Sequence, residues 1–275
     1  MGIKGKKRSN TYWRGTFAPP VVYNKWVCGG TLINLWYVVT AAHCQGGRNK
    51  ISAVRLGDWE VGGFGTKEGD NDGIPPYQEF EIEPNGVIVH EHYKRTRKVY
   101  NDIALIKLPR KAIRNGGVQM ACLPLSESRA AVELRVKDLR DGLDRRLVTV
   151  IGWGYSQVSL DAFGNSRGNS KRDSEIVPTR KQQFINIPVV DESECHFNIT
   201  KEEQFCAGGV PGKDACRGDS GSGVFAKDDQ GRLGELKPYY LLGIVSSGSS
   251  DCTQGLPGVY TRVSEYIDWI RKNIK

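Results

Sequence analysis

The sequence predicts an all-β protein that ends in one helix, and three features of the chain support this prediction. Short runs of apolar and β-branched residues recur along the chain, as strands require. Clusters of Gly, Pro, Asn and Asp separate these runs, and many short strands between turns are typical of an antiparallel barrel or sandwich. The third feature is a helical stripe that is clear only at the C-terminus. The predicted strands are residues 26–34, 36–40, 54–57, 87–90, 103–108, 147–153, 183–190, 239–246 and 258–263.

The C-terminal stripe predicts a helix that packs on the core and carries no functional site. Its apolar residues recur at the spacing of one helical face, and Glu265 and Asp268 lie near the end where the helix dipole is positive. Ser264 is expected to be the N-cap residue. The apolar stripe consists of Val263, Tyr266, Ile267, Ile270 and Ile274.

The bulk composition fits a globular chain and argues against two kinds of partner. The 275 residues include 39 Lys and Arg against 31 Asp and Glu, which gives a formal net charge of +8. This excess is scattered apart from a basic run at residues 4–8, and no nucleic-acid motif accompanies it, so we expect no nucleic-acid partner. No apolar window approaches about 18 residues, so we expect no membrane span. Residues 1–10 are polar and basic, which does not fit a signal peptide.

Three short segments carry the residues of a candidate catalytic triad. Each segment alone is weak, because a lone His beside a strand is more often structural and an Asp before a strand usually belongs to a turn. Together, in the order His, Asp, Ser, they match an arrangement in which His43 is the base for Ser220 and Asp102 orients the imidazole. The N–H groups of Gly218 and Ser220 are the expected oxyanion hole. The segments are Thr-Ala-Ala-His-Cys at 40–44, Asn-Asp-Ile-Ala-Leu at 101–105 and Gly-Asp-Ser-Gly-Ser-Gly at 218–223.

Taken with several other motifs, these segments resemble the trypsin/chymotrypsin family of serine proteases. The resemblance runs from about residue 26 to residue 274. It implies two antiparallel six-stranded β-barrels with a C-terminal helix, which form one peptidase domain over residues 25–275. Residues 1–24 are left as an atypical N-terminal segment of uncertain origin. The further motifs are Trp-Val-Cys-Gly-Gly at 26–30, Gly-Trp-Gly at 152–154 and Pro-Gly-Val-Tyr-Thr at 257–261. Val-Arg-Leu-Gly-Asp at 54–58 and Ala-Cys-Leu-Pro at 121–124 are similar to the clip-domain proteases of arthropod haemolymph.

The resemblance also implies a role for each of the seven cysteines. The odd count by itself predicts a partner outside the chain or a free thiol. In the family, a cysteine in the context of Cys122 links the catalytic domain to its cleaved pro-segment, and the alternative is a buried free thiol. The implied disulfide pairs are Cys28–Cys44, Cys195–Cys206 and Cys216–Cys252.

A specificity pocket can be carried over from the family residue by residue. Asp214 matches the base of the pocket, where a carboxylate pairs with a substrate Arg or Lys. We expect Arg over Lys because Ala215 offers no hydroxyl to a lysine ammonium. Gly248 and Gly258 match the two pocket walls, and Ser246 matches the serine that supports the triad aspartate and contacts the substrate backbone.

The sequence departs from the family at three places that bear on activity. In the family, a cut before an Ile-Val-Gly-Gly segment frees an ammonium that pairs with the aspartate before the nucleophile, here Asp219, and this sequence has no such segment. Ser247 stands where Trp is usual, which predicts weaker apolar recognition of the residues before the cleaved bond. Ser222 and Gly223 stand where Gly-Pro is usual.

Together these features predict a secreted serine endopeptidase that cleaves after Arg or Lys through an acyl-enzyme, in a limited-proteolysis cascade. The alternative is a non-catalytic homologue that binds partners as a scaffold, against which the intact triad argues. The expected partners are a protein substrate, a pro-segment linked through Cys122 and a macromolecular protease inhibitor, and no cofactor is expected. Asn198 begins an Asn-Ile-Thr glycosylation triplet, which is consistent with secretion.

An acidic stretch lies where the family has its calcium loop. Its spacing is imperfect and no ligand set can be assigned, so we expect a solvated loop and no metal. The acidic residues are Asp58, Glu68, Asp70, Asp72 and Glu79.

Overall fold

The fold is described from a computed structural model. The described residues are 2–6, 26–46, 50–58, 77–96, 98–125, 147–159, 174–178, 181–227, 239–249, 252 and 254–275. Most of the segment 1–24 and the acidic residues Glu68, Asp70 and Asp72 lie outside these ranges.

Short antiparallel strands make up most of the regular structure, as the sequence predicts. They are β1 (Gly2–Lys6), β2 (Trp26–Gly29), β3 (Thr31–Asn34), β4 (Tyr37–Thr40), β5 (Lys50–Leu56), β6 (Gln78–Glu81), β7 (Val87–Val89), β8 (Lys94–Arg95), β9 (Val99–Tyr100), β10 (Ala104–Lys107), β11 (Leu147–Gly152), β12 (Tyr155–Ser159), β13 (Ser174–Pro178), β14 (Gln183–Val190), β15 (Gln204–Ala207), β16 (Gly223–Lys227), β17 (Tyr239–Ser247) and β18 (Gly258–Arg262).

The C-terminal half forms a closed six-stranded barrel in the order β11-β14-β15-β18-β17-β16. The N-terminal half of the described chain forms two four-stranded sheets, in the orders β2-β1-β5-β6 and β3-β4-β10-β7. The all-β class and one six-stranded barrel are therefore confirmed, whereas the predicted second barrel is not found among the described residues, where the N-terminal strands form the two four-stranded sheets. Two small hairpins, β8-β9 and β12-β13, complete the sheets.

The hydrophobic core consists of two main clusters, one in each half of the molecule. Val38, Leu105 and Phe80 are buried in the first cluster, and Ile187 and Tyr260 are buried in the second. Burial of each such side chain contributes about 1.5–3 kcal/mol relative to an exposed one. The barrel strand β11 alternates exposed and buried residues, which is the period expected of a strand with one face on a core.

Strand β17 joins the two halves of the molecule. Its Leu241 and Ile244 are buried in the first cluster, whereas its Leu242 and Val245 are buried in the second. The pairing of β17 with β16 shifts register between Leu241 and Gly243, and this irregularity lets residues an odd number of positions apart face the same cluster. The cleft that holds the candidate site therefore lies beside a strand that packs against both halves.

The C-terminal helix α1 (Ile267–Asn273) packs on the core as predicted, but its predicted N-cap was wrong. A 3₁₀ turn, Val263–Tyr266, precedes the helix, so that Tyr266 occupies the N-cap position without a side-chain capping bond. The Ser264 hydroxyl instead donates to Glu265 at 3.4 Å. The predicted apolar stripe is buried, apart from the half-buried Ile274.

Candidate active site

His43 lies in a 3₁₀ turn, Ala42–Gln45, that directly follows β4. The neighbouring Cys44 is buried and forms a disulfide bond with Cys28 of β2. This cross-link closes a short loop and fixes the turn to the sheet. The His43 side chain remains 13% exposed, so the imidazole lies at the edge of the cleft.

Asp102 is almost completely buried and holds the His43 ring in place. Its Oδ2 accepts from His43 Nδ1 at 2.8 Å, and its Oδ1 accepts from the His43 backbone N–H at 2.9 Å. Ser246 Oγ donates to Oδ2 at 2.6 Å, and Thr261 Oγ1 donates to the Asp102 carbonyl at 3.0 Å. Because the carboxylate accepts the Nδ1 proton, Nε2 is left as the ring nitrogen that can accept a proton from a nucleophile.

The residue before Asp102 adopts a left-handed backbone conformation. Asn101 has φ = 50°, which is uncommon for a residue other than glycine. Tyr266 donates to Asn101 Oδ1 at 3.2 Å, and Asn101 Nδ2 donates to the His92 carbonyl at 3.2 Å. These two bonds hold the turn that leads the chain into the buried Asp102. The sequence analysis did not assign a role to Tyr266 beyond packing.

The Ser220 loop packs closely against the segment that carries His43. The backbone N–H of Gly29 donates to the Ser220 carbonyl at 2.7 Å, and Gly221 N–H donates to Val245 O at 2.9 Å. Gly221 has φ = 78°, and a Cβ there would lie 2.2 Å from Thr40 Oγ1 and 3.1 Å from the Cys44 sulfur. A glycine is therefore required, because the loop must approach β4 and the disulfide this closely. The structure thus brings the His43, Asp102 and Ser220 segments to one cleft.

Asp219 is buried directly beneath the Ser220 loop. Its Oδ1 accepts from Gly154 N–H at 2.7 Å, and its Oδ2 accepts from Cys216 N–H at 2.9 Å. Burial raises the pKa of this carboxyl to about 6, although both hydrogen bonds lower it. A Cβ on Gly152 or Gly154 would lie within 2.2 Å of the carboxylate, which explains why the Gly-Trp-Gly motif has glycine at both positions.

Asp214 lies in the predicted specificity pocket as a half-buried carboxyl. Its Oδ1 accepts from Ala215 N–H at 2.7 Å and from the Tyr260 hydroxyl at 3.3 Å. Burial, with a smaller contribution from the charge of Asp219, raises its pKa to about 7, although both hydrogen bonds lower it. The sequence analysis missed Tyr260 as a partner of this carboxyl, although its motif at 257–261 was noted.

The predicted pocket walls lie close together. A Cβ on Gly248 would be 3.8 Å from the Gly258 Cα, whereas a Cβ on Gly258 would be 3.1 Å from the Tyr260 hydroxyl, so a side chain at Gly258 would press on the partner of Asp214. The disulfide Cys216–Cys252 joins the two segments that flank the predicted pocket. The structure also contains the third implied disulfide, Cys195–Cys206, which lies at the far end of the barrel on β15.

Comparison with known proteins agrees with this geometry. The family model described as Trypsin matches residues 4–270. The chain belongs to the trypsin family. It is 36% identical to phenoloxidase-activating factor 3 of Holotrichia diomphalia over 90% of this chain and 64% of that protein. It is 35% identical to CLIP domain-containing serine protease HP8 of Bombyx mori, over 90% of this chain and 62% of that protein. The chain therefore spans slightly less than two thirds of the length of these curated relatives.

Asp58 and Glu79 are the two residues of the acidic stretch that the structure describes, and both contact the guanidinium of Arg55. Arg55 Nη1 contacts Asp58 Oδ2 at 2.8 Å, and Arg55 Nη2 contacts Glu79 Oε2 at 2.8 Å. The guanidinium also lies 4.7 Å from the Trp26 ring centroid and 4.2 Å from that of Tyr77. A guanidinium thus stands between the two carboxylates, and these residues do not fit a metal site.

The remaining predicted residues of this trypsin-family chain lie on its surface. Cys122 is exposed and unpaired. Its N–H donates to Tyr239 O at 3.0 Å, and its carbonyl accepts from Leu241 N–H at 2.8 Å, so the backbone around the thiol is fixed against β17. Asn198 is also exposed.

Within the described ranges, no helix has the length and apolar character needed to cross a membrane.

Proposed function

We propose that this chain is a serine endopeptidase that cleaves after Arg, and less readily after Lys, with His43, Asp102 and Ser220 as its triad. The observation that carries the proposal is the buried Asp102 carboxylate, which accepts from His43 Nδ1 at 2.8 Å and from Ser246 at 2.6 Å. This arrangement occupies Nδ1 and leaves Nε2 as the ring nitrogen that can accept the proton of a serine nucleophile, which supports the proposal.

The proposed mechanism proceeds through an acyl-enzyme. Ser220 Oγ attacks the carbonyl carbon of the cleaved bond while His43 Nε2 takes its proton. The N–H groups of Gly218 and Ser220 stabilise the oxyanion, and Gly218, with φ = 101°, allows the turn that directs both groups to one point. His43 then gives the proton to the leaving amine, and water releases the acyl group by the same steps in reverse order.

The Arg preference rests on Asp214 and its surroundings. The carboxyl lies at the base of a pocket whose walls, Gly248 and Gly258, carry no side chains. Because its pKa is about 7 without a bound cation, a substrate guanidinium stabilises the ionised form and supplies the missing partner. A neutral or acidic side chain would leave the carboxyl uncompensated.

We further propose that an N-terminal ammonium, freed by a proteolytic cut, pairs with Asp219 and orders the oxyanion hole. The support is the burial of this carboxyl, its pKa of about 6 and its position one residue before Ser220. The proposed setting is a secreted proteolytic cascade, with a pro-segment bonded to the exposed Cys122. Three disulfide bonds favour an oxidising compartment, and proteases such as melanization protease 1 of Drosophila melanogaster are 33% identical over 90% of this chain and 58% of that protein.

The second candidate is a non-catalytic scaffold of the same fold. One observation favours it: among the described residues, Asp219 is paired with backbone N–H groups and with no cation. A chain that never gains this cation would keep a disordered oxyanion hole despite its intact triad.

Hydrolysis of a chromogenic peptide amide ending in Arg separates the two candidates. The purified chain is assayed before and after limited proteolysis, with Ser220→Ala as the matched control. Turnover that is absent from Ser220→Ala and falls when Arg is replaced by Phe in the peptide supports the proposal. The absence of turnover in every form would contradict it and favour the scaffold.

A further inference from the structure

We propose that basic side chains at the rim of the cleft select substrates with acidic residues two to four positions before the cleaved bond. This inference rests on the endopeptidase function proposed above and names the substrate class of that same site. The basic rim, as we define it, consists of Lys94, Arg95 and Lys98 on one side of the catalytic groups and Arg217 on the other.

The first part of the basic rim is a hairpin that leads directly into the triad aspartate. Strands β8 and β9 pair Lys94 with Tyr100 and Arg95 with Val99, and the chain reaches Asp102 two residues after β9. Gln204 Nε2 donates to the Val99 carbonyl at 3.1 Å, which ties the hairpin to β15 of the barrel. The cations therefore stand on a supported hairpin beside the triad, and not on an isolated tail.

The electrostatics of Tyr93 place this hairpin near the catalytic carboxylate. Burial raises the pKa of the Tyr93 phenol, the charge of Asp102 raises it further, and Arg95 lowers it. One phenol thus lies within electrostatic reach of both the rim cation and the triad. Lys94 and Arg95 are exposed and Lys98 is half-buried, so these cations are accessible to a peptide at the surface.

The exposed carboxylates near the hairpin lie outside it, with Glu91 three residues before Lys94 and Glu202 in the neighbouring turn. Residues 94–100 contain none. In the neighbouring turn, Glu203 turns one carboxylate oxygen into the interior, which leaves Glu202 as an exposed carboxylate there. Asp102 is 1% exposed and Asp219 is 9% exposed, so neither carboxylate is accessible to pair directly with a substrate side chain.

Arg217 adds a cation from a separate segment. It is exposed and immediately precedes Gly218, whose N–H belongs to the proposed oxyanion hole. Its charge therefore stands next to the point at which the substrate carbonyl binds.

The path of the substrate explains why this charge acts on the residues before the cleaved bond. In the proposed binding mode, the Arg enters the pocket at Asp214 and the preceding residues run past Ser246 and Ser247 at the end of β17. Ser246 donates to Asp102 at 2.6 Å and Asp102 follows β9 by two residues, so this strand end and the β8-β9 hairpin meet at the same carboxylate. Ser247 offers these residues a small polar side chain and no apolar platform. Charge is therefore the main feature by which this side of the cleft distinguishes one peptide from another.

The test compares three peptide amides that carry Asp-Asp-Ala-Arg, Ser-Ser-Ala-Arg or Lys-Lys-Ala-Arg before the same leaving group. We expect kcat/KM to fall in that order at low ionic strength, with a ratio of about 5- to 10-fold between the acidic and basic peptides, because several exposed charge pairs add. In 0.5 M salt the ratio should fall to about 2-fold, because exposed charges are screened.

Two variants with the same charge change locate the effect. Neutralising the hairpin with Lys94→Ser, Arg95→Ser and Lys98→Ser should reduce the ratio to about 2-fold or less. Neutralising three exposed cations on other elements, with Lys111→Ser, Arg114→Ser and Lys272→Ser, should leave it unchanged. Equal ratios in the two variants, or equal turnover of the three peptides by the unaltered chain, would overturn the inference.

A binding measurement separates this inference from the proposed catalytic function. Fluorescence anisotropy follows labelled Asp-Asp-Ala-Arg and Lys-Lys-Ala-Arg peptides on the Ser220→Ala variant. If no peptide is hydrolysed by the unaltered chain but the acidic one binds more tightly, the catalytic proposal fails and the rim inference stands. Equal affinity for both peptides would overturn the rim inference whether or not the chain is active.

Discussion

Replacing Asp214 by Asn should stabilise the free protein at alkaline pH, and the structure sets the size and direction of the effect. Both hydrogen bonds to this carboxyl, from Ala215 N–H and the Tyr260 hydroxyl, reach the same oxygen, Oδ1. An Asn side chain can keep both bonds through its own Oδ1. The substitution therefore removes the buried charge and little else.

The direction of the effect on the free energy of unfolding follows from the difference between the pKa of Asp214 in the folded chain and in the unfolded chain. Burial raises the pKa of the folded carboxyl from 3.8 to about 7, so the folded chain keeps a proton that the unfolded chain releases near pH 4. Stability must then fall as pH rises from about 4 to about 7. Three pKa units correspond to about 4 kcal/mol, which we reduce to about 2 kcal/mol because the half-buried carboxyl keeps part of its hydration. Asp214→Asn should gain this amount at pH 8 and nothing below pH 4.

Urea unfolding from pH 4 to pH 8.5, with the disulfides kept oxidised, measures this difference. The exposed Asp268 on α1 offers a matched control, since Asp268→Asn removes a charge without burial and should show no comparable gain. A stability gap between Asp214→Asn and the unaltered chain that stays constant across this pH range would refute the reasoning. So would an Asn variant that is less stable at pH 8.

Two further predictions concern single contacts. Ser246→Ala removes the 2.6 Å hydrogen bond to Asp102 and should lower kcat for an Arg peptide amide about 10-fold with little change in KM, and an unchanged kcat in steady-state kinetics would contradict this. Arg55→Gln leaves the carboxylates of Asp58 and Glu79 without a cation and should lower the melting temperature by roughly 3–5 °C. Added calcium should raise the melting temperature of the variant only, and a calcium shift in the unaltered chain would show that Arg55 does not take the place of the ion.

The strand pattern of the barrel was predictable, but the division of the N-terminal strands was not. Residues 26–34 form one apolar run in the sequence, whereas the structure has β2 and β3 there, separated by Gly30 and placed in different sheets. Periodicity reports that a residue is in a strand and gives no information on its partner. The change of sheet depends on which distant strands lie alongside.

Strand β1 could not be predicted at all, because its residues show no strand pattern in the sequence. Gly2–Lys6 alternates glycine with Lys and Ile, so neither propensity nor hydrophobic alternation predicts a strand. The neighbouring backbones decide instead, because β1 fills the position between β2 and β5 and pairs with both. Such tertiary pairing has no local signature.

Site residues that lie in local sequence motifs could be predicted, whereas contacts between residues far apart in the sequence could not. His43, Asp102 and Ser220 could be predicted as a triad because each lies in a short motif and their order along the chain is distinctive, and the contact of His43 with Asp102 agrees with this prediction. Tyr260 and Arg55 were missed as partners of carboxylates. Arg55 is three residues from Asp58 but 24 residues from Glu79, so the second contact exists only after β5 and β6 pair.

Three aspartates of the candidate site, the buried Asp102 and Asp219 and the half-buried Asp214, have different environments, and we expect the differences to connect activation to substrate binding. Asp102 accepts hydrogen bonds from His43 and Ser246, whereas Asp214 and Asp219 have raised pKa values because their hydrogen bonds do not compensate for burial.

The two carboxyls with raised pKa values also act on each other. The charge of Asp219 raises the pKa of Asp214, so an ammonium that pairs with Asp219 offsets this charge and lets Asp214 ionise at a lower pH. An ionised Asp214 binds the substrate guanidinium more tightly. By linkage, a bound Arg side chain must in turn strengthen the pairing of the ammonium with Asp219. The cut that orders the oxyanion hole should therefore also increase the affinity of the pocket for Arg, through the charge of one shared neighbour.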